Sequence, residues 1–217
     1  MGVDTDADAD VDTNTETGTD TDTDAETNPP WPVALSGVTE TVVTTLGPNG
    51  LWNAAALGLF AGDDDTSITA RTWGNTRTRR NFHRQGQGYV QFVDDPVTFA
   101  DAALSIVERE EPVLESANAW VRVSVERIDS GTDDGTEWEE WTLCPLEAEI
   151  EAETVPTIDR GFGAVVEATV AASRLGIPGY DDRQLRDRLE YYASVVDRAG
   201  GPRERDALEL VRDRSEW

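Results

Sequence analysis

The chain has 217 residues and a formal charge of −26, from 44 acidic residues set against 18 arginines and no lysine. That length allows one domain of moderate size, or a domain with an appendage. The charge argues against binding to duplex nucleic acid or an anionic membrane surface, whose phosphates it would repel. A single cysteine, Cys144, and a single histidine, His83, rule out an intrachain disulfide and speak against a zinc site or a Cys–His catalytic pair. There is no apolar run long enough to span a bilayer and no basic, apolar signal segment, so a cytoplasmic protein is expected. Many carboxylates without lysine suit a cytoplasm of molar salt, where screening offsets self-repulsion.

Residues 1–30 are Asp, Glu and Thr with almost nothing to bury, and are expected to be a disordered acidic tail. Ten acidic residues and no arginine fall there, which leaves −16 on the remainder. From residue 31 to 155 the pattern reads mainly as strands. Residues 41–46 (TVVTTL) are β-branched and end in Gly47-Pro48-Asn49-Gly50, a turn signal, after which 53–60 predict the second arm of a hairpin. Residues 66–72 predict a third strand, 76–85 a short helix and 89–93 a fourth strand. Gly86-Gln87-Gly88 reads as a turn. Asp94-Asp95-Pro96 opens a predicted helix over 96–109. Residues 121–128 alternate cleanly, as do 138–143 and 146–152, with an acidic loop expected over 129–135. The period then changes. Apolar faces at helical spacing predict three helices in 156–217, separated by Gly176, Pro178-Gly179 and Gly200-Gly201-Pro202. Six or seven strands with short turns favour a barrel, followed by a small C-terminal helical appendage.

The densest chemistry lies in RTWGNTRTRRNFHR, from Arg71 to Arg84. It holds five of the 18 arginines and no acidic residue. Guanidinium groups among Thr72, Asn75, Thr76, Thr78 and Asn81 suit a phosphate; surface ion pairs on one helix are the other reading. There is no Walker loop and no Gly-rich dinucleotide fingerprint, so a phosphate must be held by side chains and the start of a short helix. Asn53-Ala54-Ala55-Ala56 places one amide beside three small side chains. Such a strand lets a flat ligand approach the backbone, or packs tightly against a neighbouring sheet.

The order of ETVVTTLGPNGLWNAAALGLF, TRTRRNF and GYVQFVDDPVTFADAAL, with Asp159-Arg160-Gly161 and AVVEATVAASRLG beyond them, resembles a largely archaeal family of flavoprotein-like chains known as domain of unknown function 447. The resemblance covers roughly 39–214. It implies a fold that is mainly β with α, an FMN-binding split β-barrel related to flavin reductases. It implies FMN as cofactor and a homodimer with the flavin at the subunit interface. Asn53 matches the family's Asn, and Ala54, Ala55 and Ala56 its ring-facing small residues, although Ala56-Leu57 replaces the usual Pro-Met. Thr76, Thr78 and Asn81 match a phosphate-site pattern. Arg71 and Thr72 lead into it, and Arg77 and Arg80 are the expected direct phosphate ligands. Arg79 and Arg84 are expected to pair with carboxylates, His83 to lie on the surface, and Trp73 to stack near the flavin. Glu167 and Arg174 also match family positions and are expected to pair with each other structurally. The activity implied is a flavin-dependent oxidoreductase or reductase. A flavin-storage module, or a barrel taking a deazaflavin or pterin, stays open, and no catalytic or metal-binding residue stands out.

Overall fold

The computed structural model describes residues 29–62, 67–133 and 135–217. Most of the acidic tail, residues 63–66 and residue 134 lie outside these. The Gly-Pro-Asn-Gly turn joins β1 (Val38–Leu46) to β2 (Trp52–Ala61), with Gly50 at φ 80°. These two strands pair from Val38 opposite Phe60 to Leu46 opposite Trp52. Next come β3 (Ile68–Trp73), α1 (Arg77–Gln85), β4 (Gln87–Val93), α2 (Pro96–Leu104), β5 (Val107–Arg109), β6 (Ala117–Asp133) and β7 (Thr136–Ile150). The sheet runs β1-β4-β6-β7-β3-β2, and the β1–β2 ladder closes it into an antiparallel barrel. Helices α3 (Arg160–Ala172), α4 (Asp182–Ala199) and α5 (Pro202–Arg214) follow.

Alternation along β1 explains how the layers stack. Val43 points into the barrel with Leu59, Ile68, Val90, Val121, Val123 and Trp141. Its neighbour Val42 points outward to Ala54, Phe99 and Ala102, with Phe162 and Val166 of α3 packed against them. A strand buried on both faces reads as a continuous apolar and Thr run, as β1 does. Phe82 of α1 joins the interior cluster, so this helix plugs one end of the barrel. The apolar faces of α3, α4 and α5 form a third cluster that includes Ala100 of α2.

Four predicted elements come out differently. The helix begun at Pro96 ends at Leu104, where Ser105 takes an extended conformation. Val107–Arg109 then pairs with Trp52–Ala54 as β5. Residues 138–152 are not two strands: β7 runs through Pro145, because a register shift at Arg122/Val123 accommodates a residue with no N–H to donate. The expected acidic loop at 129–135 is mostly ladder. β6 continues to Asp133, whose partner is Thr136, in a long hairpin whose far half is largely exposed. Gly86, with φ 63°, caps α1, and Gln87 and Gly88 already belong to β4.

The outer edge of β2 is only partly paired. On the edge away from β1, its first residues pair with β5 and its last with β3. Ala55 to Gly58 have no ladder partner on that edge. The Ala61 N–H donates to Gly37 at 3.1 Å, which sets the phase of the β1–β2 ladder. By antiparallel alternation, Ala56 and Gly58 therefore direct their peptide groups into the gap.

Candidate functional site

A cleft of about 440 Å³ opens at this gap. Ala55, Ala56 and Leu57 form its floor on the strand side, and the end of β3 contributes Arg71, Thr72 and Trp73. Thr76 and Thr78 bring in the first turn of α1. Thr76 is the N-cap, and its hydroxyl accepts from the Arg79 N–H at 3.2 Å. Thr78 is only 4 % exposed, yet its hydroxyl has no hydrogen-bond partner among the described residues. The N–H groups of Arg77 and Thr78 also lack intrahelical acceptors, as first-turn donors do. An arginine at the first helical position opposes the helix dipole, whereas an anion there would be stabilised by about 0.3–1 kcal/mol.

Thr72 is buried and tied down: it accepts from Trp141 Nε1 at 3.0 Å and donates to the Glu139 carbonyl at 3.4 Å. Arg71 lies 4.1 Å from the Trp138 ring centroid and 5.8 Å from that of Trp73, with a 2.9 Å bridge to Glu140. Trp73 remains 40 % exposed beside the cleft.

Glu139 fixes the position of α1. Its side chain is 3 % exposed and meets Arg79 at 2.9 Å, His83 at 2.7 Å and Arg127 at 3.2 Å. Burial pushes its carboxyl up, but hydrogen bonds from Arg79, His83 and Arg127 outweigh that and hold it below the ordinary carboxylate range. Arg79 and His83 lie one helical turn apart, so one carboxylate pins the whole inner face of α1 to the β6–β7 hairpin. His83 is thus half-exposed but engaged, and its ring also stands 5.0 Å from Trp141.

The expected site residues divide into groups. Ala55, Ala56, Arg71, Thr72, Thr76 and Thr78 meet in the cleft. Ala54 is core, packed beneath α2. Asn53, Arg77, Arg80 and Asn81 line a different hollow. Asn81 is buried and spends its amide on Thr45 Oγ1 at 2.9 Å. Arg84 pairs with no carboxylate among the described residues; it donates to the Leu46 carbonyl and, at 2.8 Å, to Asn81 Oδ1. The expected Glu167–Arg174 pair does not form. Glu167 faces Arg188 at 3.7 Å and accepts from the Tyr192 hydroxyl at 3.3 Å. Arg174 instead lies 5.3 Å from the Tyr180 ring centroid, and both line the cleft with Ser173 and Ile177. No carboxylate among the described residues neutralises Arg174. Its lack of an acidic residue three or four positions away was the signal available in the sequence.

A family model described as "Protein of unknown function (DUF447) N-terminal domain" matches residues 39–152, and a second, "Protein of unknown function (DUF447)", matches 159–213. The chain belongs to the DUF447 family. A crystal structure of an FMN-bound DUF447 protein from Methanosarcina mazei is similar at 26% identity and TM-score 0.70, over 83% of this chain and 96% of that one. Weaker likenesses include nitrilotriacetate monooxygenase component B from Bacillus cereus, at 17% identity and TM-score 0.44 over 57% of this chain and 73% of that one. Another is the styrene monooxygenase flavin reductase from Pseudomonas putida S12, at 13% and 0.39 over 57% and 95%. The fold, shared with the Methanosarcina mazei protein, is a split β-barrel with a helical tail. No helix among the described residues is long and apolar enough to cross a membrane.

Proposed function

We propose that this DUF447 chain binds FMN non-covalently in the cleft, with the ring against Ala55, Ala56 and Leu57 and the phosphate at the start of α1. One observation carries the reading: the hydroxyl of the nearly buried Thr78, without a partner among the described residues, opens onto a cleft bounded by an unpaired strand edge. The donor set fits the group. Small side chains let a planar ring reach the peptide groups of Ala56 and Gly58, which offer both donors and acceptors. Thr76, Thr78 and the first-turn N–H groups offer donors to a phosphate. The volume lies within the usual range of cofactor pockets, about 300–1,000 Å³. Arg174 would add the charge that these neutral donors lack, and Trp73 an aromatic face. The FMN-bound relative supports the same choice of cofactor.

Bound flavin would supply hydride or electron transfer, and the protein position and electrostatics. The proposed activity is that of an oxidoreductase or flavin reductase. The same barrel also suits a flavin-storing module, or a site for a deazaflavin or pterin. We further propose a homodimer with the flavin at the interface, which would cover the exposed cross-strand pair Val38 and Phe60. Purified protein in molar KCl should turn yellow with FMN and prefer it to riboflavin. Bleaching by NADH or NADPH supports the reductase; yellow protein that does not bleach supports storage. Failure to take up FMN removes the reading.

A salt-rich cytoplasm is part of the proposal. At about 0.01 M salt the Debye length is about 30 Å, so carboxylates repel across the whole barrel. The thermal midpoint should rise as KCl goes from millimolar to molar. A midpoint independent of KCl would contradict this.

A further inference from the structure

The α1 helix presents two different faces. Thr76 and Thr78 look into the cleft. Arg77, Arg80, Asn81 and Arg84, at helical spacings of three, four and seven, line a separate hollow of about 540 Å³ with Asn53, Glu108 and the β1–β2 turn. Of its three guanidinium groups, only Arg77 has a carboxylate partner among the described residues, Glu108. Arg80 donates to the carbonyl and the Oδ1 of Asn75, at 2.8 and 3.0 Å. Arg84 donates to the Leu46 carbonyl and to Asn81 Oδ1. All four acceptors are neutral. In a chain with 44 acidic residues and 18 arginines, two adjacent cations have been left for another source of negative charge.

Asn53 gives a second, independent sign. It is 5 % exposed and lines this hollow. Its Nδ2 reaches only the carbonyl of the next residue, at 3.4 Å, beyond the usual range of an N–H···O bond. Its Oδ1 has no partner among the described residues. A nearly buried residue thus leaves its amide oxygen open to a group that enters the hollow.

We propose that this hollow is a second anion site, which takes a phosphorylated small molecule other than the flavin. Its phosphate oxygens lie between Arg80 and Arg84, and a polar group comes within reach of Asn53. The flavin's own phosphate is met by Thr76 and Thr78 on the cleft side. The inference rests on the FMN reading only in that the two ligands bind together.

The test is calorimetric titration of inorganic pyrophosphate into the FMN-loaded full chain, at one fixed KCl concentration. Saturable binding at one site per chain is expected. Arg80→Gln with Arg84→Gln should weaken it at least tenfold and leave FMN affinity unchanged. Thr78→Val should do the reverse. Circular dichroism checks the double variant's fold. Should it misfold, Arg80→Lys carries the test, because it keeps the charge, loses the planar fork, and should bind pyrophosphate severalfold more weakly. Two results overturn the inference: no saturable binding to the FMN-loaded wild type, or a fall in FMN affinity in Arg80→Gln, which would make the hollow part of the flavin site. Arg80-dependent pyrophosphate binding by a chain that takes no FMN would sink the cleft reading alone.

Discussion

Replacing Thr78 by Val should weaken FMN binding about tenfold and leave riboflavin binding unchanged. The two ligands share a ring and differ in the phosphate, so their comparison isolates the start of α1. A hydrogen bond to a charged group contributes about 1.5–3 kcal/mol, and each 1.4 kcal/mol is about tenfold in affinity. Val keeps the shape and removes only the hydroxyl. Because that hydroxyl has no partner among the described residues, stability should move by less than about 0.5 kcal/mol. Thr76→Ala is a poorer probe, since it also removes the cap from α1 at a cost of about 1 kcal/mol. Flavin fluorescence titrations at one salt concentration measure both ligands. Equal losses for FMN and riboflavin, or none for either, would remove the phosphate from this end of the cleft.

Glu139→Gln should be the most destabilising conservative change around the site. Removing one partner of a buried ion pair costs about 3–5 kcal/mol. Arg127 and His83 keep solvent contact, so the cost should fall near the lower figure, about 3 kcal/mol. For a chain of this size that is roughly 6–12 °C in Tm. The pH dependence has a definite sign. Glu139 is held below its ordinary value in the folded state, so its contribution is fully present above the unfolded carboxylate range. The contribution is lost as pH falls through the folded value. The Tm gap between wild type and Glu139→Gln should therefore be widest near neutrality and narrow steadily below about pH 4.5. A gap that stays constant down to acid pH would mean the carboxylate's charge is not what holds α1. FMN affinity should fall as well, because α1 carries Thr76 and Thr78, whereas Thr78→Val leaves Tm alone.

The parts of this fold that were legible are those with local causes. A Gly-Pro-Asn-Gly turn between β-branched runs dictates the β1–β2 hairpin, and Thr76 before Arg77 marks the start of α1. β5 was hidden because Ile106 and Val107 continue the apolar spacing of α2; only pairing with Trp52–Ala54 on the edge of β2 makes Val107–Arg109 a strand. The continuity of β7 was hidden by Pro145, whose missing donor matters only once the bulge is known. In the site, Ala55, Ala56, Thr76 and Thr78 could be read from a strand and a helix start. That Arg77 and Arg80 line the other hollow could not be read from clustering, which ignores how α1 is rotated. At about 100° per residue Arg80 lies about 160° round α1 from Thr78, and the helix is held in that rotation by Phe82 in the barrel and by Glu139. Arg174 and Tyr180 reach the cleft from a turn about a hundred positions further along the chain. Only tertiary packing brings them there.

The short lengths of β3 and β5 have a consequence beyond cofactor binding. Four residues of β2, from Ala55 to Gly58, are all that separate the two strands along that edge. At about 3.3 Å per residue the opening is about 13 Å long. It is also a template: an extended peptide laid into it would find the same donors and acceptors as a ring, and small side chains at 55 and 56 do nothing to repel it. Lengthening β5 by two or three residues would zip the barrel shut. What keeps the edge available is thus the register at which two neighbouring strands stop, and a ligand seated there also guards the chain against pairing with its own kind.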